Sequence, residues 1–214
     1  MKIGILGSGD VGQHLGLGFA STGNEVKIGS REPSSAKLAK WKSEAGPKAS
    51  TGSFEEAAKF GEVVVVATLW SGTESAIQLA NPAHLAGKVV IDATNPLAFR
   101  ENAPPGLALG HTDSGGEQVQ RWLPKSHVVK AFNIVGNAHM FRPNFPGGPP
   151  DMFYCGNDAG AKKSVAQILT SFGWTPVDLG GIEGARILEP LCLLWVSYMM
   201  ASGSPNHALK MLHR

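Results

Sequence analysis

The feature that most constrains the fold of this chain is a glycine-rich turn, which reads GSGDVG at residues 7–12. An apolar run at 2–6 precedes the turn, and a stretch with helical character follows at 10–22. A GxGxxG turn between a strand and a helix is typical of dinucleotide-binding folds, because the helix N-terminus offers free amide groups and a positive dipole end to a pyrophosphate. We therefore predict the first βα unit of such a fold; the alternative is that the glycines serve packing only.

Short apolar runs alternate with helix-like stretches beyond this turn. Strands are predicted at 2–6, 25–28, 63–66, 89–91 and 128–132, with helices between them and one helix starting near Pro33. Two capping-box patterns, Ser53…Glu56 and Ser114…Glu117, indicate further helix starts. This alternation predicts an α/β fold, a Rossmann-type doubly wound parallel sheet with helices on both faces. The dinucleotide-binding domain is expected to cover 1–134.

After residue 134 the alternation loosens, and we expect a small C-terminal βαβ and helical lobe over 135–214. It contains a rigid loop at 143–150, strands at 152–155 and 175–179, and a helix between them capped by Asn157 or Asp158. A final apolar helix runs from 186 to 200, with a kink expected at Pro190. Since this helix is apolar on nearly every side, we expect it to be buried under the sheet or against a second subunit, and we predict a homodimer.

Composition narrows the classes of partner. The chain has 214 residues, 43% of them hydrophobic, and a formal net charge of +2, which gives no reason to expect a nucleic acid or a membrane as partner. Cys155 and Cys192 form no CxxC pattern and are expected to be buried small hydrophobes. The seven histidines form no HxxH or HExxH pattern, so no metal site is predicted. A cytoplasmic protein is expected.

The end of the second strand, which reads EVKIGSREP at residues 25–33, indicates which dinucleotide is bound. An NAD site usually places an acid there to bind the ribose 2′-hydroxyl. Here Ser30 and Arg31 occupy that place, and an arginine can bind a 2′-phosphate with two hydrogen bonds. Ser35 and Lys37 follow closely, and Glu32 is expected to face solvent. NADP(H) is therefore the predicted cofactor; the alternative is a surface arginine without a ligand.

Polar and apolar side chains at the later strand ends could hold the nicotinamide half. We expect Thr94, Asn95 and Asn133 to bind a carboxamide or a ribose. A ring could pack against side chains that share an apolar surface, namely Leu69, Trp70, Pro96 and Ile134. The alternative for each of these residues is an ordinary turn position.

A constellation for acid–base catalysis is missing from the sequence, and no catalytic residue is predicted. Neither tyrosine, Tyr154 or Tyr198, has the lysine four residues later that short-chain reductases use. The titratable candidates nearest the predicted cleft are His111, His139 and Asp92. Hydride transfer between two stacked rings needs positioning and exclusion of water rather than a proton donor, so the sequence favours a planar redox partner.

Six segments carry a resemblance to a known family. They read KIGILGSGDVG, VKIGSRE, VVIDATNP, VVKAFN, FYCGNDAGAKKSV and PVDLGGIEGARILEPL. The chain resembles the NADPH-dependent reductases of the deazaflavin coenzyme F-420 (F420), and it is similar to the cytosolic domain of the STEAP metalloreductases. Compared with archaeal members, its glycine turn is one residue shorter and Lys37 is the nearest substitute for a lysine found near position 35. Asn133-Ile134-Val135 is closer to the metalloreductase branch.

The resemblance implies hydride transfer between NADP(H) and a deazaflavin or flavin, with Thr68, Leu69, Asn95 and Pro96 near the nicotinamide. Two other functions stay open: an NADPH-dependent reductase of small imines or keto acids, and an NADPH-binding sensor without enzymatic activity. The residues predicted to bind the cofactor are Gly7, Ser8, Gly9, Asp10, Val11, Gly12, Ser30, Arg31, Ser35, Thr68, Leu69, Trp70, Asn95, Pro96 and Asn133.

Overall fold

A computed structural model describes residues 1–101 and 103–212, so His213 lies outside the described residues. The strands of the main sheet are β1 (Lys2–Leu6), β2 (Glu25–Gly29), β3 (Ala49–Gly52), β4 (Val63–Val66), β5 (Val89–Asp92), β8 (His127–Lys130), β9 (Asp151–Gly156) and β10 (Thr175–Asp178). A separate hairpin consists of β6 (Leu97–Arg100) and β7 (Ala103–Leu107). The helices are α1 (Asp10–Ser21), α2 (Ala36–Ala45), α3 (Phe54–Phe60), α4 (Thr73–Ala80), α5 (Gly115–Trp122), α6 (Ala159–Ser171) and α7 (Ala185–Ser202).

The sheet has the order β3-β2-β1-β4-β5-β8-β9-β10, with eight strands over the described residues. Its first six strands are parallel, and β9 pairs antiparallel to β8. Helices α1, α2 and α6 pack on one face, and α3, α4, α5 and α7 pack on the other. The predicted Rossmann-type fold is confirmed. The strand order reverses between β1 and β4, where such sheets bind their ligands.

The valine run that predicted a central strand is the core of this sheet. All four residues of β4 are buried, because β1 and β5 flank the strand and helices cover both faces. By contrast, β3 was not predicted. Its sequence, ASTG, is polar and lies at the sheet edge, where burial imposes little hydrophobic pattern. The hairpin of β6 and β7 was not predicted either, since it contains two prolines and lies outside the main sheet.

Several predicted boundaries need correction. The strand predicted to reach Phe132 ends at Lys130, because Phe132 adopts a left-handed conformation with φ of 64° that cannot continue a strand. The helix predicted near Pro33 begins at Ala36, since Ser35 still has a non-helical backbone with ψ of 148°. The apolar helix predicted from 186 to 200 covers Ala185–Ser202 and continues through Pro190 without a break.

The two predicted capping boxes differ in the structure. At α3 the box is complete: the Ser53 amide donates to the Glu56 carboxylate at 2.7 Å, and the Glu56 amide donates to Ser53 Oγ at 3.1 Å. At α5 only half is present, because the Glu117 carboxylate accepts from the Ser114 hydroxyl at 2.7 Å rather than from its amide. The cap of α6 is Asp158, whose carboxylate accepts from the Ala161 amide at 2.7 Å.

The predicted lobe at 135–214 shares the main sheet with the preceding residues. β9 joins β8 through the pairs Val129–Gly156 and Lys130–Cys155, and β10 then extends the sheet. The domain boundary at 134 therefore stays a prediction. α7 buries one side against α5 and the sheet, and it exposes Ile187, Leu194 and Tyr198 on the other. Among the described residues, no helix has the length and apolar character needed to cross a membrane.

Candidate functional site

A cleft of about 820 Å³ opens at the carboxyl ends of β1, β2 and β4, where the strand order reverses. Eight of the residues predicted to bind the cofactor line this cleft: Gly7, Ser8, Gly9, Ser30, Arg31, Ser35, Thr68 and Leu69. The other lining residues are Glu32, Lys37, Phe54, Ala67, Ser71, Gly72, Ser75, Ala76 and Leu79. The remaining predicted residues, which do not line it, are Asp10, Val11, Gly12, Trp70, Asn95, Pro96 and Asn133.

The three glycines of the turn differ in what surrounds them. Gly7 has a φ of 130°, and a Cβ atom there would overlap the carbonyl oxygen of Ala67. A Cβ atom at Gly12 would overlap the carbonyl oxygen of Gly7, so this glycine lets α1 pack against the turn. A Cβ atom at Gly9 would meet no protein atom within 4 Å. Packing therefore explains Gly7 and Gly12 but not Gly9, whose open side faces the cleft.

The N-terminus of α1 also faces this cleft. Gly9 is its N-cap, and no side chain of the described residues caps its first turn. Gln13 donates from its side chain to the carbonyl of Ser8 at 2.7 Å, which fixes the turn to the helix. The backbone amides of the first turn are free to bind an anion.

The end of β2 forms the second polar wall of the cleft. Ser30 Oγ lies 3.1 Å from Ser8 Oγ and accepts from the Glu32 amide at 3.1 Å, which ties the strand end to the glycine turn. Arg31 is exposed and lines the cleft. Glu32 is exposed, as expected, but it also lines the cleft, which corrects the expectation that it faces only solvent.

An ion pair joins α1 and α2 beside the cleft. Lys37 donates to Asp10 at 2.8 Å, and both side chains are more than half exposed. The hydrogen bond and charge of Lys37 hold the pKa of Asp10 below its ordinary value. Asp10 therefore neutralises the lysine nearest to the predicted 2′-phosphate position.

The end of β4 supplies an apolar surface. Leu69 lines the cleft with 81% of its surface exposed. Thr68 Oγ1 lies 2.9 Å from Thr73 Oγ1, whose hydroxyl in turn donates to the carbonyl of Leu69 at 3.1 Å. These bonds fix the backbone that presents the leucine.

Trp70 and Pro96 lie beyond the cleft, against the start of α5. Both side chains approach Gly115, and the Trp70 ring stacks on Trp122 with centroids 5.5 Å apart. Val11 packs against the core of the fold. The predicted apolar wall is thus divided between Leu69 on the cleft and a packed Trp70–Pro96 surface.

Asn95 and Asn133 form a hydrogen-bonded pair between the ends of β5 and β8. Asn95 Nδ2 donates to the carbonyl of Asn133 at 2.8 Å, and Asn133 Nδ2 donates to Asn95 Oδ1 at 2.9 Å. Asn133 Nδ2 also donates to the carbonyl of Leu188 on α7 at 3.1 Å. The structure therefore brings these two predicted residues together.

Sequence reasoning missed a buried charged network behind this pair. Lys130 is fully buried and lies 2.8 Å from Asp92, 2.9 Å from Glu189 and 2.9 Å from the carbonyl of Thr94. Burial alone would lower the pKa of Lys130, but the carboxylates of Asp92 and Glu189 outweigh it and raise that pKa above its ordinary value.

The sequence did contain a signal for this network. Lys130 stands in the apolar strand VVKAF, and Glu189 stands in an apolar helix. A charged residue in an element expected to be buried must find a partner. Glu189 also accepts from the amides of Gly115 and Gly116, both at 2.9 Å, so it holds α7 to the N-terminus of α5.

A second ion pair joins the same two helices at their surface. Arg186 on α7 binds the Glu117 carboxylate through two nitrogens, with Nε donating to Oε2 at 2.8 Å. The hydrogen bond from Arg186 lowers the pKa of Glu117, although partial burial opposes the shift. This pair explains why Glu117 does not complete the predicted capping box.

The histidines considered as proton donors do not line the cleft. His139 lies 2.9 Å from Asn206 Oδ1 and packs on Phe145, whereas His111 is exposed in a loop. Asp92 accepts a hydrogen bond from Lys130 in the buried network.

Both cysteines are buried, and burial raises the pKa of Cys155 to about 12 and that of Cys192 to about 11. No cluster of metal-ligating side chains occurs in the part of the chain that the structure describes.

The strand order and the glycine turn at its reversal define a protein of the Rossmann-type class. Residues 2–96 match the family described as "NADP oxidoreductase coenzyme F420-dependent". A solved structure of a candidate F420-dependent NADP reductase from Arthrobacter sp. FB24 is 37% identical, covers all of both chains and superimposes with a TM-score of 0.94. The chain belongs to this family of NADP-dependent oxidoreductases.

Two curated relatives reflect both branches of the predicted resemblance. Rat metalloreductase STEAP3 is 34% identical over 198 residues, which cover 90% of this chain and 37% of that protein. The F420-dependent NADP reductase of Methanothermobacter marburgensis is 27% identical, covering 98% of this chain and 97% of that protein. The chain thus spans just over a third of the length of the metalloreductases it matches.

Proposed function

We propose that this chain binds NADP(H) in the cleft at β1, β2 and β4. The observation that carries the proposal is the open side of Gly9, where a Cβ atom would meet no protein atom within 4 Å. Glycine has no packing reason at this position, but a phosphate close to the backbone would exclude any side chain. The uncapped amides of α1 supply the donors for such a phosphate.

The side chains at the end of β2 favour binding of NADP(H) over NAD(H). Arg31 is exposed on the cleft wall and can bind a 2′-phosphate with two hydrogen bonds. Ser30 is tied to Ser8 and to the Glu32 amide, so its hydroxyl is fixed beside the glycine turn. Glu32 on the same wall would repel the phosphate, and Arg31 supplies the opposing positive charge.

We further propose hydride transfer between the nicotinamide and a planar redox partner, either coenzyme F420 or a flavin. Bound NADPH would supply the hydride. Leu69 offers an apolar surface in the cleft, and the hydroxyls of Thr68 and Thr73 hold the backbone that presents it. Such a surface suits ring stacking and exclusion of water. Hydride transfer between two rings needs no side chain as proton donor, and no histidine of the described residues lines this cleft.

A reductase of imines or keto acids is the alternative enzyme. Such a reaction needs a group that can protonate the substrate. Lys130 is the last residue of β8, but it is fully buried and donates to three oxygen atoms. Its protons are therefore not available to a substrate. A sensor without activity would bind NADPH and reduce no acceptor.

We also propose that α7 forms a homodimer interface. Ile187, Leu191, Leu194 and Tyr198 follow one another at spacings of four, three and four residues, which places them along one stripe of the helix. Ile187, Leu194 and Tyr198 are exposed, and the hairpin that packs against α7 exposes Phe99 as well. A second copy of this stripe is the partner that would cover its exposed apolar side chains. The cytoplasmic location stays a prediction.

Turnover with a panel of acceptors tests the proposed reaction. NADPH oxidation should be measured with F420, FMN, FAD, a ferric chelate, a cyclic imine and a keto acid at equal concentrations. The proposal expects a kcat/KM with F420 or a flavin at least tenfold above those with the imine and keto acid. A preference for the imine or keto acid would support the alternative enzyme. NADPH binding without oxidation by any acceptor would support the sensor.

A further inference from the structure

The segment at 203–212 follows α7 and forms a strap that crosses the start of β9. The carbonyl of Leu209 accepts from the Asp151 amide at 3.0 Å, and the Asp151 carboxylate accepts from the Met211 amide at 2.7 Å. Lys210 donates to two backbone carbonyls of the loop before β9, at 3.2 and 3.0 Å. These bonds fix the second half of the strap to β9 and to the loop that precedes it.

The middle of the strap is joined to α7 by a histidine, His207. Its ring stacks on the Trp195 ring with centroids 4.7 Å apart, and the Tyr198 ring meets it edge-on at the same distance. Trp195 Nε1 donates to the backbone carbonyl of His207 at 2.9 Å. The imidazole is therefore partly buried between two aromatic side chains of the helix.

Both ring nitrogens of His207 face backbone carbonyl oxygens. Nε2 lies 3.1 Å from the carbonyl oxygen of Trp195, and Nδ1 lies 3.2 Å from that of Ser204. A neutral imidazole has one N–H donor and one acceptor nitrogen, so it satisfies only one of these carbonyls and turns a lone pair toward the other. The imidazolium form has two donors and satisfies both. The geometry therefore selects the charged ring.

The aromatic surroundings favour the same charged form. The planes of the His207 and Trp195 rings lie within 24° of parallel, so the imidazole covers the face of the indole. The face of an indole ring carries negative charge and attracts a cation placed over it. Hydrogen bonds from a charged donor are also stronger than those from a neutral one. Loss of the proton would therefore weaken the stacking and both contacts to carbonyl oxygens.

Other titratable side chains face this histidine or the strap around it: Tyr198 from α7, His139 from the loop after β8, Asp151 from β9 and Lys210 from the strap itself. Among side chains of ordinary pKa, only histidine changes its charge between about pH 5 and 8. His139 Nε2 lies 2.9 Å from Asn206 Oδ1, a contact that a neutral ring makes with its single donor. His207 is therefore the group whose two contacts require a second proton.

We propose that His207 is a pH-sensitive clasp, whose imidazolium form holds the strap against α7 and whose neutral form releases it. The clasp is closed at acidic pH and opens as pH rises through the range in which histidine loses its proton. Release would expose the Trp195 ring, which is only 8% exposed in the closed form. The inference is separate from the binding of NADP(H), because no residue of the described strap lines the cleft.

Hydrogen exchange of the strap amides, measured between about pH 5 and 8, tests this clasp. Exchange is expressed as a protection factor, which divides out the intrinsic dependence of the exchange rate on pH. His207→Phe keeps an aromatic ring beside Trp195 but removes both donors and the charge. His139→Phe is the matched control, because it removes the other histidine that contacts the strap. His207→Gln, which has no titratable group either, is a second variant should His207→Phe fail to fold.

We expect protection of the wild-type strap to fall by about three- to tenfold from the acidic to the alkaline end of this range, as for the loss of one hydrogen bond. His139→Phe should keep this fall. His207→Phe should show the low protection already at the acidic end and no further change. Protection of the buried strand β4 should be the same in all three proteins, which verifies that the sheet is intact.

Three results would overturn the clasp. Equal protection of the wild-type strap at both ends of the pH range would show that the strap does not depend on the charge of His207. A fall in protection that persists in His207→Phe would assign the pH dependence to another group. A fall that disappears in His139→Phe would assign it to His139. In each case the proposed binding of NADP(H) would be unaffected.

Discussion

The ammonium group of Lys130 donates to the carboxylate of Asp92 at 2.8 Å, and neither side chain has any exposed surface. Glu189 accepts from the same ammonium group, so one positive charge serves two buried carboxylates. Removing one partner from such a group leaves uncompensated buried charge. The network therefore fixes β5, β8 and α7 relative to one another. Asn95 follows β5, Asn133 follows β8, and Leu188 lies on α7.

Lys130→Met should lower the free energy of unfolding by about 3–5 kcal/mol, since two carboxylates lose their shared partner in the core. Urea denaturation followed by circular dichroism measures this loss. The control is Lys40→Met, an exposed lysine 3.9 Å from Glu44 on α2, whose change should stay within about 0.5 kcal/mol. A loss at Lys130 no larger than that of the control would contradict the structural role.

The same network predicts how stability responds to alkaline pH. The pKa of Lys130 is higher in the folded chain than in the unfolded chain, so its stabilisation is complete below the ordinary lysine pKa of about 10.4 and is lost as pH rises through the folded pKa. Lys130→Met should therefore remove part of the alkaline decline in stability. A comparison of urea midpoints from pH 7 to 11 measures it; identical slopes in the two proteins would refute the linkage.

Gly9→Val and Gly12→Val should have opposite consequences. A Cβ atom at Gly9 would meet no protein atom within 4 Å, so the variant should fold and yet lose binding of NADPH and NADH. A side chain at Gly12 would overlap the carbonyl oxygen of Gly7, so that variant should unfold or lose several kcal/mol. Circular dichroism and cofactor titration separate the two outcomes. NADPH binding by a folded Gly9→Val protein would mean that the turn does not hold the pyrophosphate.

Arg31→Ala should weaken NADPH binding by about ten- to a hundredfold, because a charge-assisted hydrogen bond is worth about 1.5–3 kcal/mol. Affinity for NADH, which has no 2′-phosphate, should hardly change. Titration with both cofactors measures the ratio, and Lys40→Ala, on α2 but away from the cleft lining, is the matched control. Equal losses for NADPH and NADH would argue that Arg31 does not bind the 2′-phosphate.

Leu194→Glu should convert the proposed homodimer into monomers, since it places a charge in the middle of the exposed stripe on α7. Light scattering at micromolar concentration measures the mass. Met211→Glu is the matched control, because it also replaces an exposed apolar residue by a charge but lies outside α7. A wild-type monomer at this concentration would show that the stripe is not a stable interface.

Hydride transfer should be independent of pH between 5 and 9, because no histidine in the described part of the chain lines the cleft. His111→Ala and His139→Ala should each reduce turnover by much less than the 10²–10⁴-fold typical of losing a general acid or base. Leu69→Ala should reduce turnover at least as much, with little effect on NADPH affinity, since it changes only the proposed ring surface. Single-turnover absorbance measurements test this. A titration that disappears in either histidine variant would mean that a proton donor exists.

The sequence by itself determined the fold class and the first half of the candidate site. Both depend on local chemistry: a strand, a glycine turn and a helix follow one another at residues 2–21, and the valine run of β4 fits only a strand covered on both faces. Parallel strands also align their carboxyl ends at one edge, so residues after β1, β2 and β4 were expected to meet. The structure places Gly9, Ser30, Arg31 and Leu69 around one cleft.

Only the tertiary structure decided which distant polar groups pair. Asp92 meets Lys130 because β5 and β8 are neighbours in the sheet, although 38 residues separate them in the chain. Asn133 meets Leu188 because α7 returns over the end of β8. Hydrophobic periodicity indicates which face of an element is buried, but it carries no information about which buried charge or amide will find which partner. That choice depends on strand order and on the return path of the chain.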